Sequence, residues 1–344
     1  MQKAYLYEKL DDKNVRCLAC KNYCVIPSGK SWICRVRKNI DWELHLIVHS
    51  NAAALNIDPV EKKPLYHFLP ETNTFSIWTV GCNFGCEFCQ NWEIAQISKT
   101  FQWELDSYID DFWYYLTPFQ IIDYCKKENI QSISYTYNEP IIFFEYIYDI
   151  MKQWEGVLIK HVLVTNWYES PEALEKLAPY VSAMNIDLKS FRNNFYKKVC
   201  KADLNKVLDT IKRVYELGIW VEITTLVIPE HNDTEEELNS IAEFVANVDI
   251  NIPWHISAFR PDNNMNTIPP TPYSTLQKAV ELWNKNNLRY IYLGNVVDSE
   301  NSSTWCHNCG ELLIKREWML TKKQKNFENW MCKNCWTIVP GVWK

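Results

Sequence analysis

From about residue 74 to residue 300 the chain repeats one pattern, a short apolar run followed by a stretch whose apolar residues recur at helical spacing. The runs fall at 75–80, 132–137, 157–165, 183–188, 220–228, 252–258 and 290–293, with helical segments such as 204–217 and 234–248 between them. The second helix is entered through Asp233-Thr234-Glu235-Glu236-Glu237, acidic residues that favour a helix N-terminus. Strands alternating with helices require parallel β/α units. Six or seven such units predict an α/β fold, a partial (β/α)6-type barrel with its chemistry at the carboxyl ends of the strands. Three regions follow: a cysteine-rich, metal-binding segment over 1–70, the barrel over 71–300, and a zinc-ribbon or rubredoxin-like segment over 301–344.

The remaining composition narrows the class. A chain of 344 residues that is 47% hydrophobic and 23% charged can bury one large core. A net charge of -6 argues against a broad nucleic-acid-binding surface. No apolar run reaches the roughly 18 residues of a membrane span, and the first residues lack a secretory signal's apolar stretch, so a cytoplasmic location is expected. Thirteen cysteines then need a reason. In a reducing compartment, clustered cysteines point to metal sites rather than disulfides. Eleven fall into three tight groups; Cys125 and Cys200 stand alone and read as small apolar fillers.

The central group, Cys82, Cys86 and Cys89, directly follows the first barrel strand with C-x3-C-x2-C spacing. An iron–sulfur cube usually takes four cysteines, so three leave one iron open, which separates a catalytic site from a closed electron carrier. A zinc knuckle that borrows a distant fourth ligand is the alternative. The loop's position argues against it, because this is where a barrel does chemistry.

The loop resembles that of the radical SAM (S-adenosylmethionine) superfamily. The chain further resembles the pyruvate formate-lyase activating enzyme-like branch, and within it the AmmeMemoRadiSam system enzymes. The stretches that carry this resemblance are Cys17-Leu-Ala-Cys20-Lys-Asn-Tyr-Cys24, Cys34-Arg-Val-Arg-Lys-Asn, Cys86-Glu-Phe-Cys89-Gln-Asn-Trp, Tyr135-Thr-Tyr-Asn-Glu-Pro140, Asn185-Ile-Asp-Leu-Lys189 and Pro253-Trp-His-Ile256. The resemblance implies a 4Fe-4S cluster whose open iron chelates SAM, and one-electron cleavage to methionine and a 5′-deoxyadenosyl radical that abstracts hydrogen from a substrate. It further implies an electron donor such as flavodoxin or ferredoxin, and Memo-type and AMMECR-type proteins as candidate partners. By the same resemblance Glu139, beside Asn138, contacts the SAM ammonium, and a carboxylate is the natural acceptor for a cation in a dry site. Asn166 would touch the methionine or ribose, Asp187 and Lys189 would order the cofactor carboxylate, and His255 would lie by the ribose. Arg260 and the proline-rich 261–272 follow the sixth strand as either a lid or an ordinary loop.

Two outer groups remain. Cys306, Cys309, Cys332 and Cys335 form two C-x2-C knuckles 22 residues apart, a metal ribbon with zinc the expected occupant and a rubredoxin-like iron the alternative. Cys17, Cys20, Cys24 and Cys34 suit either zinc or an auxiliary iron–sulfur cluster, and a structural metal is the preferred reading. The function this sequence predicts is therefore a radical SAM enzyme, possessing either glycyl-radical activase-like chemistry or another hydrogen abstraction. The competing class is a non-catalytic metalloprotein for electron transfer or nucleic-acid binding.

One anomaly stands apart. The chain has 8 glycines where average usage would give ~24, and 16 tryptophans. Asp41-Trp42, Asn166-Trp167 and Asn329-Trp330 would be strong turn signals with glycine second. Trp336 follows a C-x2-C knuckle where its counterpart after Cys309 is Gly310. Trp32 and Trp78 also stand where the family pattern reads glycine. Together they suggest UGA codons that the source decodes as glycine, with Trp78 and Trp167 expected to crowd the cofactor pocket.

Overall fold

The computed structural model describes residues 1–100, 114–153, 159–317 and 320–344. Its centre is an eight-stranded sheet: β1 (Ala54–Pro59), β2 (Asn73–Trp78), β3 (Ser132–Tyr135), β4 (Lys160–Thr165), β5 (Val181–Asp187), β6 (Trp220–Val227), β7 (Trp254–Ala258) and β8 (Ile291–Gly294). Each strand pairs with its neighbour in sequence. β2 to β8 run parallel, and β1 lies antiparallel on the β2 edge. β1 and β8 are the two edges, so the barrel is open. The seven expected strands are all present, while the antiparallel β1 is an addition. The expected start of the third run, at 157–158, lies outside the described residues.

Period-two alternation decides which side chains face in. Met184, Ile186, Ile223 and Ile256 point outward into the main apolar core, against Val207, Ile211 and Val214 of helix Leu204–Glu216 and Leu238, Ile241 and Val245 of helix Glu235–Val248. The alternate positions turn polar groups into the barrel, where they satisfy one another. Thr74 bonds Ser134 at 2.7 Å, Asn185 donates to Thr224 at 2.9 Å, and His255 meets Glu222 at 2.7 Å. Such pairing is what makes a buried polar lining tolerable. Helix starts are capped by side chains: Thr234 accepts from Glu237 N, where the sequence places a helix start, Ser170 accepts from Ala173 N, and Thr117 forms a capping box with Gln120.

The C-terminal segment is tied to the barrel through Tyr66, His67 and Tyr292. Glu222 accepts from the backbone N–H groups of Tyr66 and His67 at 2.9 and 2.7 Å. The His67 ring bridges Pro340 O and the Tyr292 hydroxyl at 2.7 and 2.6 Å, a pairing that suits neutral imidazole. Arg316, fully buried on strand Leu312–Glu317, donates to Tyr66 O and Thr304 Oγ1. No helix among the described residues is long and apolar enough to cross a membrane.

Trp42, Trp167, Trp330 and Trp336 all have left-handed backbones, with φ of 66°, 72°, 63° and 62°. A bulky side chain in this region is a genuine outlier. Trp32 and Trp78 do not share it.

Candidate functional site

The cysteine loop leaves β2 through Gly81, whose φ is +90°; a Cβ there would meet Cys34 O at 2.7 Å and Val36 Cγ1 at 2.9 Å. Only glycine permits both the backbone angle and the approach. The loop is then braced from outside: Gly85 N donates to Cys200 O at 3.0 Å, Glu87 N to Val199 O at 3.1 Å, and Asn264 N to Glu87 O at 3.0 Å. Asn263 also donates to Cys86 O at 3.3 Å. The proline-rich segment after β7 thus packs on the cysteine loop.

Cys82, Cys86 and Cys89 line one open cavity of about 340 Å³ at the carboxyl ends of the strands. Asn138, Glu139, Asn166, Asp187 and Lys189 line it too, so five of the six expected cofactor residues meet the three cysteines. His255 does not. It sits on β7 two residues before Ser257, and Ser257 takes the place at the cavity wall while His255 lies one layer deeper on Glu222. Trp78 and Trp167 are also absent from the lining, so neither crowds the pocket as expected. Lys62, Lys63, Thr224, Ser257 and Asn295 line it without having been anticipated.

The lining is rich in acceptors. Glu139 is buried and receives Ile141 N at 3.1 Å, Asn166 N at 2.8 Å and the Thr165 hydroxyl at 3.0 Å. Burial, then the nearby Glu169 carboxylate, push its pKa up, so a cation beside it would be strongly favoured. Asn138 Oδ1 and Asn166 Oδ1 are buried with no hydrogen-bond partner among the described residues. Lys189 meets Asp187 at 2.7 Å. Burial alone would lower the Lys189 pKa, but Asp187 and the neighbouring cysteines outweigh it and hold the ammonium charged. On the opposite edge Lys63 bonds Asp58 at 2.7 Å, with its pKa lowered to about 8 by burial despite that partner.

Burial pushes the Cys82 thiol up and Cys89 up to about 11, while Cys86 is raised first by a hydrogen bond with Cys200 and then by burial. Cys200 is buried in the main apolar core, as a small filler would be, and lies beside Cys86. Three thiols beside orphaned acceptors make a donor set that fits a cluster with an open iron and a cationic ligand. The cysteines would supply the thiolates, and the iron would displace their protons.

The other two groups differ in spacing. Cys306, Cys309, Cys332 and Cys335 have all four sulfurs within 4.8 Å of one another, the only group of metal-binding side chains among the described residues to do so. Cys306–Cys335 and Cys309–Cys332 are 3.5 and 3.6 Å apart. A tetrahedral metal with metal–sulfur bonds of ≈ 2.3 Å needs edges of about 3.8 Å. Cys17, Cys20, Cys24 and Cys34 gather instead round a separate, small cavity of about 20 Å³.

The radical SAM superfamily profile matches residues 76–245. An uncharacterised protein of Methanocaldococcus jannaschii is 41% identical over 341 residues, 97% of this chain and 98% of that protein. A candidate glycyl-radical enzyme activating enzyme of the same archaeon is 26% identical over 65% of this chain and 80% of its own length. A GTP 3′,8-cyclase of Nautilia profundicola is 25% identical over 51% of this chain and 52% of its own. The superfamily profile falls on the strands that carry the cysteine loop and the acceptor-rich cavity, and the chain belongs to the radical SAM superfamily, as an enzyme that cleaves SAM at a 4Fe-4S cluster to generate a radical.

Proposed function

We propose that the strand-end cavity binds SAM and that the radical is delivered to a protein partner, in the manner of a glycyl-radical activase. When bound, the cluster and SAM supply the electron and the carbon radical that abstracts hydrogen. The chain's own residues do the rest. Cys82, Cys86 and Cys89 hold three irons, Glu139 takes the ammonium, and Asn138 and Asn166 offer their orphaned oxygens to the cofactor's donors. Lys189, held in place by Asp187, turns its ammonium to the cofactor carboxylate. His255 acts from the layer beneath through Glu222 rather than by touching the ribose. The observation that carries this reading is the meeting of three cysteines and five strand-end polar residues on one cavity.

The AmmeMemoRadiSam assignment belongs to the same proposal, with Memo-type and AMMECR-type proteins as candidate partners and a flavodoxin or ferredoxin as donor, in the cytoplasm. The likeness to a candidate glycyl-radical activating enzyme supports it. The C-terminal knuckles hold zinc that staples the tail. The test is to turn over the reduced enzyme with SAM and partner proteins deuterated at glycine. Deuterium in 5′-deoxyadenosine from such a partner supports the proposal; label arriving only from small molecules contradicts it.

A further inference from the structure

We propose that Cys17, Cys20, Cys24 and Cys34 hold a second iron–sulfur cluster, fully ligated by cysteine, that relays electrons to the catalytic cluster. The relay role rests on the function proposed above; the cluster itself does not. The four cysteines line one cavity, otherwise walled by apolar groups such as Ile26, Ile141 and Ile142, with Arg37 and Asn83 as its polar members. Arg37 is already neutralised by Glu145 at 2.6 Å, both side chains being buried. The sequence leaves zinc and a cluster open, and the spacing separates them. The C-terminal four are drawn together as a mononuclear tetrahedron, all four sulfurs within 4.8 Å of one another, whereas the first four form no such group among the described residues. The loop of Cys82, Cys86 and Cys89 is likewise not drawn into such a group. A cube of irons and sulfides holds its cysteines further apart than the ~3.8 Å edge of a mononuclear site.

The cavity is also coupled to the catalytic loop. Asn83, next to Cys82, lines the cavity, and its Nδ2 is buried without a hydrogen-bond partner among the described residues. A cluster sulfide would give that orphaned donor an acceptor. Asn22, between Cys20 and Cys24, donates to Asn83 O at 3.3 Å. The Cys34 carbonyl packs so tightly on Gly81 that no Cβ fits between them. Both sides of the Cys82 junction therefore touch the first cysteine group. Four ligands leave no open iron, so the group is suited to carry electrons rather than to bind SAM. One electron from a low-potential donor reduces this cluster, which is reoxidised as the catalytic cluster gains the electron; no atom is transferred.

The experiment reads metal and electron paramagnetic resonance in protein reconstituted anaerobically. The triple variant Cys82→Ala, Cys86→Ala, Cys89→Ala should keep about four irons and a reduced-cluster signal that SAM does not alter. Two zincs and no iron in that variant would overturn the proposal while leaving the catalytic cluster of the parent protein untouched. Cys24→Ser in the otherwise intact chain should lose the SAM-insensitive signal and its SAM cleavage with reduced flavodoxin, yet retain cleavage with dithionite. Unchanged cleavage with flavodoxin would overturn the relay.

A different observation carries a second inference: we infer that positions 42, 167, 330 and 336 are glycine in the natural protein. They are the tryptophans with left-handed backbone among those described, and three follow Asp or Asn. Trp336 mirrors Gly310, whose φ is 71° in the matching knuckle. Trp167 is also fully buried with its indole N–H unpartnered among the described residues. Glycine adopts this backbone without the Cβ strain that a tryptophan carries there. The inference requires UGA codons at these four positions and glycine there by mass spectrometry of source protein; UGG codons or tryptophan would overturn it.

Discussion

Replacing Glu139 with glutamine tests the proposed cofactor contact at the residue where the structure is most specific. The carboxylate spends both oxygens on Ile141 N, Asn166 N and the Thr165 hydroxyl while facing the cavity. Glutamine keeps one acceptor and turns an amide N–H₂ toward groups that donate, and it removes the charge that would answer an ammonium. Losing one charge-assisted contact at a desolvated site costs roughly 1.5–3 kcal/mol, or about 10- to 150-fold in SAM affinity. The cluster should still assemble, because Glu139 is not among its ligands. Glu169→Gln is the control: it shares Thr165 but does not line the cavity, so SAM affinity should not fall. The assay is equilibrium SAM binding to reconstituted protein of matched iron content. Equal affinity for parent and Glu139→Gln would place the ammonium elsewhere.

Gly81→Ala should cost about 2 kcal/mol or more by denaturant unfolding, because the new Cβ meets Cys34 O at 2.7 Å on a left-handed backbone; an equally stable variant would refute the close approach. Cys309→Ser should release the ribbon metal and expose the tail to proteases, while SAM cleavage per folded molecule stays near normal; a folded variant that loses cleavage would make the ribbon a redox relay. Burial lowers the pKa of His67 to about 4 and of His161 to about 3, so each protonates in the unfolded chain first. Their stabilisation is present above pH 6.5 and is lost as pH falls, about 2.7 kcal/mol each by pH 4.5. Urea unfolding of apoprotein should show that decline, roughly halved in His161→Gln; a flat profile would contradict it.

What the sequence discloses tracks how local the cause is. The seven parallel strands show in the sequence because each is a bounded apolar run, and the family resemblance then implies Glu139, Asn166 and Asp187 at their ends. β1 is hidden because its alternation is short and inverted, with Ile57 exposed and Asp58 buried, and it owes its pairing to the edge of β2. His255 is assigned to the correct strand but the wrong depth, since periodicity gives a face and not a layer. Lys62 and Lys63 meet Asp58 only four and five residues back along the chain, but in a stretch with no periodicity to announce it. Cys200 carries no signal at all; helix 196–200 happens to set it against Cys86. The left-handed tryptophans, by contrast, are visible beforehand because turn chemistry is decided by two or three adjacent residues.

The central claim is that three cysteines on one strand-end loop hold a cluster with an open iron that cleaves SAM. The direct measurement is 5′-deoxyadenosine formed on reduction of the anaerobically reconstituted protein, compared with Cys82→Ala, Cys86→Ala and Cys89→Ala singly. The parent should form 5′-deoxyadenosine and methionine, and each variant should form neither. SAM cleavage that survives in any of the three would contradict the account.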